Sequence, residues 1–158
     1  MPRRIRNPNL IFQSFVVDQL VGGLLGEAIA DSGLGPGEFG VLSAMRVVEP
    51  VMPSELASEL GMPPTTLSAH IRRFGARGWI ERTANPRDGR SYLLSVTPAG
   101  VRVLEAAYDG LRETIAEVEA VLDRSPEEVA RALAALERAL RAVAQERADL
   151  RLLRSRTN

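Results

Sequence analysis

The tripeptide Gly61-Met62-Pro63 places the tightest constraint on this chain. It joins two short stretches, MPSELASELGM (52–62) and PPTTLSAHIRRFGARG (63–78), and leaves no room for a flexible loop between them. A glycine ends a helix well because it accepts the left-handed conformation at the C-terminus. Prolines open the next helix well because an N–H is missing there at no loss. Two helices joined this closely form a helix-turn-helix. On the first, Leu56 and Leu60 face inward and Ala57 is small enough for close packing. On the second, Leu67, Ile71 and Phe74 recur at i, i+4 and i+7 and define one apolar face. At 3.6 residues per turn, Thr65, Ala69, Arg72 and Ala76 lie opposite that face, flanked by Thr66, Ser68 and Arg73.

The second helix ends at Gly78, and Trp79-Ile80 starts a strand. IERTA (80–84) and SYLLSV (91–96) are apolar enough to pair as an antiparallel hairpin. NPRDGR (85–90) holds two turn dipeptides, Asn-Pro and Asp-Gly, and forms its tip. Thr97-Pro98 then reads as an N-cap with proline at the first helical position, opening a long helix to about Leu122. DRSPEE (123–128) breaks it and starts another. Ser125 is its N-cap, Pro126 its first residue, and acids fill its first turn; it is expected to reach residues 150–154. Upstream, residues 9–30 read as a helix with a broad apolar face of Leu10, Ile11, Phe12, Phe15, Val16, Leu20, Leu24 and Ala28. DSGLGPG (31–37) is a turn, and 38–48 a short helix with Pro36 at a tolerated position.

The expected fold is therefore mainly α with a small β-wing: a winged helix-turn-helix flanked by long dimerisation helices. The predicted division is 1–33 as an N-terminal dimerisation helix, 34–98 as the winged helix-turn-helix, and 99–158 as C-terminal dimerisation helices. Leu104, Leu111, Ile115, Val118 and Leu122, then Val129, Leu133, Leu136, Leu140 and Val143, follow heptad-like spacings. Two antiparallel helices packing within one chain need only one such seam, and the apolar face near the N-terminus has no evident partner in a monomer. An intersubunit bundle is expected, with Leu10, Phe12, Leu133, Leu136 and Leu140 in it.

Charge points to a partner. The 158 residues carry no net charge, but the distribution is uneven. Residues 63–100 hold six arginines against two acidic residues, while 1–62 are net acidic and 101–158 nearly balanced. A local basic patch within a neutral chain suits a specific phosphate-contact surface. A helix entering the major groove needs small side chains for close approach, hydroxyls for phosphates or base edges, and arginine for guanine. Ser54, Pro64, Thr65, Thr66, Ser68, Ala69, Arg72 and Arg73 are the candidate contacts on the helix pair. Arg87 and Arg90 are the candidates at the wing tip, where a narrow minor groove attracts guanidinium. Asp88, two residues from Arg90, is expected to brace the wing by orienting that side chain. A merely solvated amphipathic helix presents a similar polar face; the clustering of charge favours double-stranded DNA.

The same residues exclude other chemistry. The chain has no cysteine and a single histidine, His70, so thiolate chemistry, cysteine-bound zinc and histidine-based triads are ruled out. His70 lies between the two faces of its helix and is read as a packed side chain. No enzyme activity, cofactor or metal is expected. Gln13, Ser14, Asp18 and Gln19 interrupt the N-terminal apolar segment, so no apolar run approaches a membrane span. No membrane partner is expected, and the simplest location is the cytoplasm.

The run from Ser54 to Gly100 resembles the DNA-binding core of the MarR family of bacterial transcription regulators. The resemblance rests on Glu55-Leu56-Ala57, Gly78-Trp79-Ile80-Glu81-Arg82, Asp88-Gly89-Arg90 and Val96-Thr97-Pro98-Ala99-Gly100, and it covers residues 36–104. It implies a homodimer on an inverted-repeat operator that represses, or less often activates, nearby genes. It also implies release by a small aromatic effector in many members. Phe74-Gly75 departs from the Leu-Glu more usual there. Glycine inside a helix costs up to about 1 kcal/mol relative to alanine, so a loosened helix end is expected. Two alternatives stay open: a winged helix used for protein contacts without an operator, and a DNA-binding protein that senses nothing. An apolar cluster of Phe12, Phe15, Met45 and Trp79 could line a pocket but reads more readily as core, so ligand residues stay unknown.

Overall fold

In the computed structural model, which describes residues 9–156, the elements follow the expected order. They are α1 (Leu10–Ala28), a 3-10 turn (Ala30–Ser32), α2 (Pro36–Val48), α3 (Pro53–Glu59), α4 (Pro64–Ala76), β1 (Ile80–Ala84), β2 (Tyr92–Val96), α5 (Pro98–Ala120) and α6 (Pro126–Arg156). By compactness the chain divides between Ile115 and Ala116. The division expected from sequence was one of role instead.

In the first unit, α3 and α4 end alike. The N–H of Met62 donates to Ala57 O at 2.9 Å and that of Gly61 to Ser58 O at 3.1 Å. At the end of α4, Trp79 N–H donates to Phe74 O at 3.0 Å and Gly78 N–H to Gly75 O at 3.1 Å. Gly61 (φ 58°) and Gly78 (φ 68°) hold the left-handed conformation that these two closures require. α4 stays helical through Gly75 to Ala76, so the loosened end expected from that glycine is not seen. Cooperative hydrogen bonds on either side and burial of Phe74 outweigh a propensity deficit of about 1 kcal/mol.

β1 and β2 pair antiparallel in the register Ile80↔Val96, Arg82↔Leu94 and Ala84↔Tyr92. A third segment joins them, which the sequence did not reveal. Val51 and Leu94 exchange backbone hydrogen bonds of 2.9 and 3.1 Å across the far edge of β2. The carboxylate of Glu49 also accepts from Val96 N–H. The core gathers Leu42, Met45, Leu56, Leu67, Ile71, Phe74 and Leu94, all nearly or fully buried, with Leu104 and Ala107 from the start of α5. Thr97 fastens α5 to the wing. Its Oγ1 donates to Gly78 O at 2.7 Å and accepts from Gly100 N–H at 3.2 Å, the expected N-cap.

α1 departs from its expected two-faced character. None of its residues is buried, and Val17 and Val21 are exposed along with Leu10, Phe15, Leu20 and Leu24. Apolar surface thus extends past the predicted stripe. By length and composition alone α1 is long and apolar enough to cross a membrane, which the reading of interrupted apolar runs had not allowed. Four scattered polar residues break a contiguous run without lowering the average far enough.

In the second unit, α6 opens with a reciprocal cap: Glu128 N–H donates to Ser125 Oγ and Ser125 N–H to Glu128 Oε2, both at 3.2 Å. Leu133 (55% exposed), Leu140 (43%) and Val143 (47%) keep much of their surface open, while Leu136 is half-buried.

Candidate nucleic-acid interface

The polar face of α4 is built by what the opposite face buries. Leu67, Ile71 and Phe74 are almost wholly enclosed, which turns Pro64, Thr65, Thr66, Ser68 and Arg72 outward. Ser54 is exposed in the first turn of α3. Ala69 is only half-exposed and less open than expected, because the helix sinks toward the core on the side of His70. Among the described residues Arg72 makes no ion pair.

Arg73, a candidate contact that flanks the open face, is exposed and also bonded within the chain. Its Nε donates to Glu38 Oε1 at 2.9 Å, and its Nη2 lies 2.9 Å from His70 Nδ1. Arg77, one turn further on, donates from Nη1 to Glu38 Oε2 at 3.1 Å and lies over the Trp79 ring, 4.7 Å from its centroid. Both guanidinium groups are turned back onto α2. The reason is the Glu38 carboxylate, which is only 14% exposed. Glu38 escaped the sequence reading, although Arg73 and Arg77 stand at i and i+4, the spacing of one helix face.

Burial opposes ionisation of Glu38. Hydrogen bonds from Arg73, Gly35 N–H and Arg77, with the Arg77 charge, outweigh it and hold the carboxyl below its ordinary value. His70 is buried, more so than a half-exposed side chain. Desolvation first, and then the Arg73 charge, push its pKa below the usual imidazole value, against a smaller pull from Glu38. An arginine only donates, so His70 Nδ1 accepts and carries no proton in this arrangement. Among the described residues no group of three or more acidic or histidine side chains is placed to hold a metal.

The wing tip is a chain of local turns. Asn85, buried, accepts from Arg87 N–H at 3.0 Å through Oδ1 and donates to Ser91 Oγ at 2.9 Å. Asp88 Oδ1 accepts from the backbone N–H of Arg90 at 3.1 Å. Asp88 thus braces the wing through the main chain, not by orienting the Arg90 guanidinium as expected. The short Asx side chain closes more readily on an amide two residues ahead than on a long flexible head group. Arg87 and Arg90 are exposed and form no ion pair among the described residues. On the strand below, Arg82 stacks on Tyr92, 4.8 Å from the ring centroid. A cavity of about 390 Å³ lies at the wing base, lined by Pro50, Met52, Glu55, Asn85, Pro86, Arg87 and Leu93. The cluster suggested by the sequence does not line it: Met45 is fully buried in the core, and Trp79 packs on Phe74.

Comparison with known proteins places this arrangement. Residues 32–91 match the model of the MarR family. The chain is 30% identical over 94 residues, 60% of its own length, to the multiple antibiotic resistance protein MarR of Salmonella typhimurium. It is 29% identical over 93 residues to the Escherichia coli protein of that name. The match spans 65% of the length of these relatives. The fold resembles that of the Mycobacterium tuberculosis transcriptional regulator MosR in complex with DNA. The TM-score is 0.74 at 26% identity, over 85% of this chain and 98% of that one. It also resembles a mutant E. coli MarR complexed with operator DNA, with a TM-score of 0.72 at 26% identity over 83% and 93% of the two chains. A probable transcriptional regulator from Pseudomonas aeruginosa gives 0.69 at 30% identity over 81% and 96%. Helix pair, wing motifs, the family match over residues 32–91 and the shared fold all point to the MarR family.

Proposed function

We propose that this protein is a DNA-binding transcription regulator that acts as a homodimer on an inverted repeat. The observation that carries the reading is the pairing of an open α4 face (Thr65, Thr66, Ser68, Arg72) with two exposed wing-tip arginines, Arg87 and Arg90, that form no ion pair among the described residues. The helix face suits the major groove and the wing suits phosphates or the minor groove. Family relatives of similar fold solved with DNA support it. The reading is non-enzymatic.

The dimer follows from apolar surface. Leu10 (66% exposed), Leu20 (64%) and Leu133 (55%) are large apolar side chains left open on α1 and α6. A second copy of the chain covers them in this reading. Two-fold symmetry then sets the recognition helices about 34 Å apart on successive major grooves. Repression, with release by a small aromatic molecule, is the regulatory part of the proposal.

The test is retention of sheared genomic DNA by purified protein at physiological salt, followed by sequencing. A few enriched fragments sharing an inverted repeat are expected, and a panel of small aromatic acids added to the bound complex tests release. Uniform or absent retention favours a winged helix used for protein contacts. Retention that no aromatic molecule reverses favours a regulator that senses nothing.

A further inference from the structure

Six arginines make residues 63–100 basic, yet the structure does not treat them alike. Arg72, Arg87 and Arg90 form no ion pair among the described residues, and Arg82 lies on Tyr92. Arg73 and Arg77 converge on the two oxygens of one carboxylate, that of Glu38 on α2. We propose that Glu38 is a specificity-determining residue of the DNA interface: it withholds Arg73 and Arg77 from phosphate contact and confines the charge that reaches DNA to Arg72 and the wing.

A surface ion pair by itself would not do this, since such pairs are worth only about 0–1 kcal/mol and a phosphate competes easily. Each guanidinium here is held at two points. Arg73 is tied to Glu38 by Nε and to His70 by Nη2, both at 2.9 Å. Arg77 is tied to Glu38 by Nη1 at 3.1 Å and stacks on Trp79. Both anchors are themselves sheltered: the Glu38 side chain is 14% exposed and His70 is buried. Moving either arginine to a phosphate takes a counter-charge from a partly buried carboxylate, and moving Arg73 also leaves His70 Nδ1 without its donor.

The consequence is selectivity. Every phosphate neutralised by a side chain strengthens binding to all sequences alike and steepens the salt dependence by about 0.9 in slope. Two charges withheld lower that indiscriminate term and leave base readout to Thr65, Thr66, Ser68 and Arg72. The clamp also fixes α4 against α2, which sets the angle at which the recognition helix is presented.

This inference rests on the DNA-binding reading, and the experiment separates their failures. Fluorescence anisotropy with a labelled random-sequence duplex is recorded against salt for the full-length wild type and three variants, with folding checked by circular dichroism. The wild type is expected to bind in a salt-dependent way. Glu38→Gln is expected to steepen the slope of log K against log salt by about 1–2. The double variant Arg73→Gln/Arg77→Gln leaves the slope within about 0.3 of wild type, and Arg90→Gln flattens it by about 1. If the wild type does not bind, the DNA-binding reading fails and this inference with it. If the wild type and Arg90→Gln behave as stated but the double arginine variant flattens the slope by about 2, Arg73 and Arg77 touch phosphate and only the clamp is overturned. A fourth variant, Glu38→Gln/Arg73→Gln/Arg77→Gln, strands no carboxylate, and the same slope is read from it where Glu38→Gln or the double arginine variant fails to fold.

Discussion

Two glycine-to-alanine substitutions in this chain should act in opposite directions. Gly100, near the start of α5, lies against the turn that enters β1. A Cβ built there would sit 2.3 Å from the carbonyl oxygen of Trp79 and 2.7 Å from Val96 Cγ1. An ordinary carbon–oxygen contact is about 3.3–3.6 Å, so the backbone must yield by about 1 Å. That oxygen is not free to move, because it accepts from Thr97 N–H at 2.9 Å, and Thr97 caps the helix that carries Gly100. Overpacking of this kind costs about 1–3 kcal/mol, and the helix propensity of alanine offsets less than about 1 kcal/mol. Gly100→Ala should therefore lose about 1–2 kcal/mol and melt about 2–8 °C below wild type. Gly75, in α4, has no atom within 4 Å of a built Cβ and no positive φ. Gly75→Ala should gain about 0.4–1 kcal/mol by restricting the unfolded chain, raising the melting temperature by about 1–4 °C. The assay is thermal unfolding by circular dichroism, all three proteins at one concentration because assembly shifts the midpoint. Gly100→Ala melting at or above wild type, or Gly75→Ala below it, would refute the packing argument.

Three further outcomes follow from the same contacts. His70 is held neutral in the fold with a pKa below its usual 6.5. Its contribution to stability is full above pH 6.5 and is lost as pH falls toward the folded value. Melting temperatures recorded from pH 8 to 5 should decline in wild type, and His70→Gln should flatten the decline; an equal slope in both would remove His70 from it. Glu38 acts in a second, lower window, since its folded pKa lies below 4.5. Its stabilisation is complete above pH 4.5 and fades below that, so Glu38→Gln should lose stability at neutral pH yet approach wild type in strong acid. Leu136→Asp/Leu140→Asp places two charges on the seam of α6, and sedimentation equilibrium at micromolar concentration should show monomer where the wild type shows dimer; a monomeric wild type would sink the proposed assembly.

Local chemistry wrote much of this molecule in short range. Gly61, Gly78, Thr97-Pro98 and Ser125-Pro126 each end or begin a helix through groups within six residues, so the helix-turn-helix and the wing could be read directly. The faces of α4 followed from periodicity, because burying Leu67, Ile71 and Phe74 leaves the opposite residues no other place than solvent. What stayed hidden was contact at long separation. Glu38 lies 35 and 39 residues before the arginines it holds, and Val51 pairs with Leu94 across 43. Nothing in the order of residues says which of several acids an arginine will meet. That depends on how α2 lies across α4, and the packing of Leu42, Met45 and Phe74 between them decides it. Composition could make residues 63–100 basic; only the tertiary structure determines which of those charges remain open to a partner, because a carboxylate driven partly out of water by the core must draw its counter-charges in after it.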